Sequence, residues 1–131
     1  MAKILIAEDE PDIRELITYT LKFGGFDVVV TTNGEEAVKA APRARPDLIV
    51  LDVRMPRMTG YEACRKLKDN PRTAKIPVIF LSAKGQEQEV LDGMDSGAID
   101  YILKPFDPEV LLKKIKEVLT NHGKEKKWSL K

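Results

Sequence analysis

Five polar side chains of this sequence have the chemistry needed to transfer a phosphoryl group. Each lies at the end of a short apolar run, and together they comprise three carboxylates, a hydroxyl and an amine: Glu8, Asp9, Asp52, Ser82 and Lys104. A carboxylate can attack phosphorus and form an aspartyl-phosphate. The hydroxyl, the amine and a metal ion can then hold the three equatorial oxygens over which negative charge spreads.

Three carboxylates that meet at one place need a counter-charge. Two unit charges ~4 Å apart repel by roughly 4 kcal/mol at an effective dielectric of ~20. A cluster of Glu8, Asp9 and Asp52 must therefore keep a proton or bind cations, and Lys104 supplies one positive charge. All-oxygen ligation with open positions suits Mg²⁺, and Mn²⁺ would also fit. We expect Glu8 and Asp9 to be the acids that hold the metal.

Asp52 is the expected nucleophile because it ends the most central apolar run. Residues 48–51 are all aliphatic, which is typical of a strand buried on both faces of a parallel sheet. In open α/β sheets, ligands bind just beyond the carboxyl ends of the strands. Ser82 and Lys104 would hold the phosphoryl oxygens there, beside the cation.

Short apolar runs predict five strands that position these groups. They cover Lys3–Ala7, Asp27–Thr31, 47–51, 76–81 and 100–103. Five helices alternate with them, which implies a parallel sheet covered on both faces. Right-handed crossovers leave the doubly wound, flavodoxin-like strand order 2-1-3-4-5 as the natural arrangement. In this order all five polar side chains face one crevice.

Helix signals lie between the predicted strands. The first helix has an apolar face that includes Leu16, and Pro42 should end the second helix. Thr59 and Glu62 form a capping-box pattern at the start of the third helix. The fourth helix is predicted over 87–96, with three inward-facing residues: Val90, Leu91 and Met94. Asp107 and Pro108 should begin the fifth helix.

Composition excludes several classes of protein. The 131 residues suit one domain, and a net charge of +1 gives no reason to expect direct contact with nucleic acid or a membrane. Cys64 is the only cysteine, so an intrachain disulfide is excluded and a reducing compartment fits. No apolar run approaches the ~20 residues of a membrane span. We expect a cytoplasmic protein with a domain at 1–122 and a basic tail or linker stub at 123–131.

The order of these motifs resembles the receiver domain of bacterial two-component response regulators, over nearly the whole chain. That family has an acidic pair after strand one, a phosphoacceptor Asp after strand three and a Met-Pro-x-x-x-Gly loop. It also has Ser/Thr-Ala after strand four and Lys-Pro-Phe after strand five. The corresponding residues here are Glu8-Asp9, Asp52, Met55-Pro56 with Gly60, Ser82-Ala83 and Lys104-Pro105-Phe106. Each motif is weak alone, but their combination at strand ends is specific.

The resemblance implies a role for individual residues. Asp52 would accept a phosphoryl group from a histidine kinase or a histidine phosphotransfer protein. Asp9, Asp52 and the backbone carbonyl of Arg54 would bind Mg²⁺, and Glu8 would bind it through water. Lys104 would hold the phosphoryl group. The chain would catalyse only its own phosphorylation and dephosphorylation, and would not be an enzyme for external substrates.

The same resemblance implies how phosphorylation becomes a signal. Ser82 would move toward the phosphoryl group, and Tyr101 would turn inward with it. The surface of helix four, strand five and helix five would then change, and this family commonly uses that surface for dimers or targets. We therefore expect a downstream protein target or a detached output domain, with a phosphorylation-dependent dimer as one outcome. No DNA-binding domain fits after Leu119, so the expectation is a stand-alone receiver or a fragment of a larger regulator.

Two basic residues are candidates for control of the phosphate lifetime. Arg54 and Lys84 lie two residues beyond Asp52 and Ser82. In the family that the sequence resembles, these positions border the path of the hydrolytic water. Long basic side chains there would shield the acyl phosphate or pair with it, so we hypothesise slow hydrolysis.

Three alternatives fit the sequence less well. A flavodoxin-like cofactor binder needs hydroxyls and backbone donors after strand one, whereas Glu8, Asp9 and Glu10 would repel a phosphate. A phosphatase resembling haloacid dehalogenases needs a second Asp two residues after the nucleophile, a place that Arg54 holds. An interaction domain that has lost phosphorylation would lack part of the site, and no part is missing.

Overall fold

The computed structural model describes residues 2–83 and 85–122 with their side chains, and residues 123–129 as backbone. Lys84, one of the two candidates for control of the phosphate lifetime, lies outside the described residues. The side chains of the predicted tail, 123–131, also lie outside them. Within the described part of the chain, no helix combines the length and the apolar composition that a membrane span requires.

Five parallel strands form one sheet. They are β1 (Lys3–Ala7), β2 (Asp27–Thr31), β3 (Leu48–Asp52), β4 (Val78–Ala83) and β5 (Asp100–Lys104). Their order across the sheet is β2-β1-β3-β4-β5, which confirms the predicted doubly wound fold. All five residues of β3 are buried, because this strand lies at the centre of the sheet with a helical layer on each face.

The helices connect successive strands. They are α1 (Pro11–Phe23), α2 (Gly34–Ala44), α3 (Gly60–Asp69), α4 (Glu87–Gly93) and α5 (Pro108–Ser129), with a short 3₁₀ turn at Met94–Ser96. Side chains of α2, α3 and α4 pack on one face of the sheet, and those of α1 and α5 pack on the other. Along β3, Leu48 and Val50 face α1 and α5, whereas Ile49 and Leu51 face α2 and α3, as the two-residue period of a strand requires.

The predicted helix caps are present. The Glu62 N–H donates to Thr59 Oγ1 at 3.1 Å, and the Thr59 N–H donates to Glu62 Oε1 at 3.3 Å. This reciprocal pair fixes the first turn of α3 directly after the loop that follows Asp52. At the start of α5, Asp107 Oδ1 accepts from the Glu109 N–H at 2.8 Å.

Several predicted element boundaries were wrong, with the largest differences in α2, β4 and the fourth helix. Pro42 lies inside α2, which continues to Ala44. It lacks only one helical hydrogen bond close to the helix end, and Arg45 then closes α2 in a left-handed conformation, with φ 50°. β4 begins at Val78, because the Ile76 N–H donates to the Thr73 carbonyl and belongs to a turn. The fourth helix ends at Gly93 and continues only as the 3₁₀ turn.

Two residues predicted to face the core are exposed. Leu91 of α4 is 53% exposed and Leu16 of α1 is 45% exposed. In α4 only Val90 is buried, because only one narrow side of this short helix contacts the sheet. In α1 the buried residues are Ile17, Thr20 and Leu21, so Leu16 lies outside the contact with the sheet.

Candidate functional site

The sheet brings the polar ends of four strands together. Glu8 follows β1, Asp52 ends β3, Ser82 lies near the end of β4 and Lys104 ends β5. The loop after Asp52 folds back over this edge, where the Gly60 N–H donates to the Val53 carbonyl at 3.0 Å. A Cβ on Gly60 would collide with the backbone carbonyl of Asp52, so the close return of this loop requires glycine.

Three carboxylates converge at this edge. Glu8, Asp9 and Asp52 each offer an oxygen, and these oxygens all lie within 4.8 Å of one another. Glu8 is fully buried and Asp52 is 3% exposed, whereas Asp9 is exposed to solvent. The site therefore has two acids in a weakly hydrated environment and one at its open side.

Lys104 joins the two buried acids. Its Nζ donates to Asp52 Oδ2 at 3.2 Å and to Glu8 Oε1 at 3.3 Å. Burial alone would lower the pKa of Lys104, but the carboxylates of Asp52 and Glu8 raise it overall. The ammonium group is thus held charged between the two carboxylates.

The ammonium group of Lys104 does not by itself neutralise the negative charge of three carboxylates. Burial and then the neighbouring Asp52 raise the pKa of Glu8 well above its usual range, although the Glu10 N–H and Lys104 oppose this shift. A buried acid with a raised pKa beside two further carboxylates fits a hard divalent cation, which would favour the ionised form. The three acids could therefore hold a metal ion.

Ser82 carries a hydroxyl without a partner. The residue is fully buried, and among the described residues its Oγ has no hydrogen-bond partner. A buried hydroxyl without a partner is costly and uncommon. Phe80 and Tyr101 lie opposite each other in the β4–β5 register, and Ser82, two residues beyond Phe80, lies on their face of the sheet. Tyr101 is half-buried there.

Arg54 contacts the site through its backbone and contacts α4 through its side chain. Its N–H donates to Asp52 Oδ1 at 3.2 Å, while its guanidinium donates to Glu89 Oε2 at 2.8 Å. An open cavity of about 230 Å³ lies above the acids, and Asp9, Asp52, Arg54, Gln86 and Lys104 are among its lining residues. The cavity has room for a small anionic group.

Some residues that shape the site were missed by the sequence analysis. Arg14 of α1 reaches back to the loop after β1, where its Nη1 donates to the Glu8 and Asp9 carbonyls at 3.1 and 3.2 Å. Gln86 and Glu89 approach Arg54 from α4 and the residue before it. These side-chain contacts cannot be predicted from the spacing of residues in the sequence, because they depend on where the helices lie in the fold.

Comparison with known proteins matches the fold of this chain. The model of the response regulator receiver domain family matches residues 4–116. The DNA-binding dual master transcriptional regulator RpaA of Synechocystis is 41% identical over 119 residues, which cover 91% of this chain and 49% of RpaA. The chain spans about half the length of the curated relatives that it matches.

Two solved structures match the chain over nearly their whole length. The chemotaxis response regulator CheY4 of Vibrio cholerae is 35% identical, with a TM-score of 0.85, and the match covers 90% of this chain and 98% of CheY4. The receiver domain of the sensor histidine kinase PA1611 from Pseudomonas aeruginosa is 29% identical, with a TM-score of 0.85 and coverage of 91% and 98%. That structure has a magnesium ion coordinated in its active site cleft.

Proposed function

Because this chain belongs to the response regulator receiver domain family, we propose that Asp52 accepts a phosphoryl group in a Mg²⁺-dependent reaction. The donor is the phosphohistidine of a histidine kinase or a histidine phosphotransfer protein. The observation that carries this proposal is the convergence of the Glu8, Asp9 and Asp52 oxygens within 4.8 Å. Lys104 adds an ammonium donor between Glu8 and Asp52.

The metal would be held by a set of oxygens at the open side of the site. Asp9, Asp52 and the backbone carbonyl of Arg54 would bind Mg²⁺, and Glu8 would bind it through water. When bound, the cation neutralises charge on the transferred group. Mn²⁺ would suit the same oxygens. The receiver domain of PA1611, with magnesium in its cleft, supports this assignment.

The residues of the chain account for the transfer itself. A carboxylate oxygen of Asp52 attacks phosphorus, while the bond from phosphorus to the donor imidazole nitrogen breaks and the nitrogen keeps its electron pair. Lys104 already donates to Asp52, so it can donate to a phosphoryl oxygen with little movement. Ser82 supplies a hydroxyl that has no other partner among the described residues.

The transferred group acts as a signal through the neighbouring elements. Ser82 donating to a phosphoryl oxygen would pull the end of β4 toward Asp52, and Tyr101 would turn inward on the same face of the sheet. The expected signalling surface comprises α4, β5 and α5, and three apolar side chains on α4, just before β5 and on α5 are 51–53% exposed: Leu91, Ile99 and Val110. A change in the shape of this surface would control the binding of a downstream protein, a detached output domain or a second copy of the chain.

The phosphorylated state is expected to be long-lived. Arg54 lies on the wall of the cavity above Asp52, and Lys84 follows β4 in the sequence. Long basic side chains at the cavity would pair with the acyl phosphate and exclude attacking water.

The buried thiol of Cys64, the only cysteine, suits the reducing cytoplasm in which we place the protein.

Acetyl phosphate tests the central proposal without requiring the natural kinase. Incubation with acetyl phosphate and Mg²⁺ should add the mass of one phosphoryl group to the intact protein. Asp52→Asn should take up none, and a chelator should prevent the wild type from reacting. Glu62→Gln, an acid outside the site, is the matched control and should react as the wild type does. Equal labelling of Asp52→Asn and the wild type would contradict the assignment.

A further inference from the structure

The Arg54 guanidinium forms hydrogen bonds at the start of α4. One goes to Glu89 Oε2 at 2.8 Å. With the Gln86 amide oxygen facing Arg54, that oxygen accepts from Arg54 Nε at 2.8 Å and from Nη2 at 2.9 Å. Bonds to two separate groups orient the planar guanidinium toward α4 in this structure. Arg54 is therefore positioned by α4, although it belongs to the loop after Asp52.

The same residue is within reach of the phosphoacceptor. The Arg54 N–H donates to Asp52 Oδ1 at 3.2 Å, and Arg54 and Gln86 both line the cavity above Asp52. The side chains of Arg54 and Glu89 are 63% and 44% exposed. Exposed ion pairs of this kind are easily exchanged for another partner.

We infer that Glu89 is a positioning residue that competes with the phosphoryl group for Arg54 and thereby sets the lifetime of phosphorylated Asp52. This inference rests on the proposed function. A phosphoryl group carries a charge near −2 and three acceptor oxygens, and guanidinium binds such oxygens in pairs. The Glu89 carboxylate competes with these oxygens, so the Arg54 guanidinium contacts α4 for part of the time and the phosphoryl group in the cavity for the rest.

The competition has a defined effect on hydrolysis. In that step a water oxygen attacks phosphorus, the bond between phosphorus and the Asp52 oxygen breaks, and Asp52 regains its carboxylate. Arg54 covering the phosphoryl group obstructs the approach of water. Loss of the Glu89 charge leaves the guanidinium in the cavity for more of the time, so hydrolysis slows. Loss of the Arg54 side chain removes this cover, so hydrolysis accelerates.

The half-life of the phosphorylated protein tests this inference. Protein is labelled with acetyl phosphate and Mg²⁺, the donor is removed, and the phosphorylated fraction is followed by intact mass. Glu89→Gln should lengthen the half-life about threefold, the size expected when one exposed ion pair is lost. Arg54→Ala should shorten it, and Arg54→Ala/Glu89→Gln should match Arg54→Ala, because Glu89 acts only through Arg54.

A second ion pair provides a matched control. Arg65 and Asp95 are paired at 3.3 Å between α3 and the 3₁₀ turn, with side chains 59% and 72% exposed. Asp95→Asn breaks this pair away from the cavity and should leave the half-life unchanged. Thermal unfolding of each variant shows that the fold is retained.

The outcomes separate this inference from the proposed function. A wild type that takes up no phosphoryl group overturns both. A phosphorylated wild type with the same half-life as Glu89→Gln overturns the inference alone. The inference also fails if Glu89→Gln still lengthens the half-life when Arg54 is alanine, because Glu89 would then act by another route.

Discussion

The buried hydroxyls of Ser82 and Ser96 differ in one respect that matters for function. Both residues are nearly or fully buried, at 0% and 4% exposure. Ser96 Oγ donates to the Gly93 carbonyl at 2.7 Å, whereas Ser82 Oγ has no partner among the described residues. A group that stabilises the fold has its partner in place, while a group that binds a ligand can wait for one. This difference supports the proposed role of Ser82 as a donor to a phosphoryl oxygen.

Alanine substitution of the two serines should therefore have opposite effects. Ser96→Ala should cost about 1 kcal/mol, the worth of one buried hydrogen bond, and lower the Tm by about 4 °C. Ser82→Ala should leave the Tm nearly unchanged but slow phosphorylation by acetyl phosphate. Thermal unfolding and intact mass measure the two effects. A large loss of stability in Ser82→Ala would indicate that the hydroxyl serves the fold instead.

Site residues could be predicted from the sequence where each one ends a strand. Asp52 and Lys104 follow from apolar runs and the known geometry of parallel sheets, and the structure places their side chains 3.2 Å apart. The contact between Arg54 and Glu89 could not be predicted in this way. The two residues are 35 positions apart, and their contact depends on the position of a short helix that the sequence placed only approximately.

At the level of elements, the strands were easier to predict than the helices. Central strands are buried on both faces, so their aliphatic runs indicate a strand, although the run at 76–81 begins two residues before β4 does. α4 is short, and its boundary depends on packing against α3 as well as on its own sequence. The predicted inward position of Leu91 was wrong because helical periodicity alone does not say how wide the buried face is.

Close packing between α3 and α4 depends on Gly93. A Cβ on this residue would overlap the ring of Tyr61, which itself packs edge-on against Phe80 with ring centroids 5.1 Å apart. The contact with Phe80 of the sheet therefore limits how far the Tyr61 ring can move away from a new Cβ on Gly93. The aromatic ring and the glycine together set how closely α4 approaches the sheet, and with it the position of Glu89.

Gly93→Ala should accordingly destabilise the protein. Overlap with a confined ring typically costs about 1–3 kcal/mol, and urea unfolding would measure the loss. Gly24→Ala is the control, because the one close contact of its new Cβ would be with the end of the Leu112 side chain, which can rotate away. Tyr61→Leu combined with Gly93→Ala should recover part of the loss. Equal costs for the two alanine substitutions would show that the ring is free to move.

At the level of the whole molecule, the site lies where two separate cores meet. One core joins α2, α3 and α4 to the sheet, and the other joins α1 and α5 to its opposite face. Asp52 ends the strand that both cores share. In the proposed function, a phosphoryl group on Asp52 would alter α4 and β5 without unfolding either core, since two packed arrangements of a surface can differ by only a small free energy.

Phosphorylation should consequently change how the protein associates. Leu91 on α4, Ile99 before β5 and Val110 on α5 are exposed apolar residues, and a second copy that docks on α4, β5 and α5 would bury them by symmetry. Size-exclusion chromatography with light scattering should show about twice the monomer mass after treatment with acetyl phosphate and Mg²⁺. Asp52→Asn should stay monomeric under the same conditions.

Two valines that differ mainly in location test whether this surface is the one used. Val110 of α5 is 53% exposed, and Val30 on the edge strand β2 is 44% exposed. Val110→Glu places a charge in the proposed contact, where its burial would be costly, so it should abolish the dimer while phosphate uptake is retained. Val30→Glu should dimerise as the wild type does, because β2 is the strand farthest from β5 in the sheet. A dimer that survives Val110→Glu and is lost in Val30→Glu would place the contact at the opposite edge of the sheet.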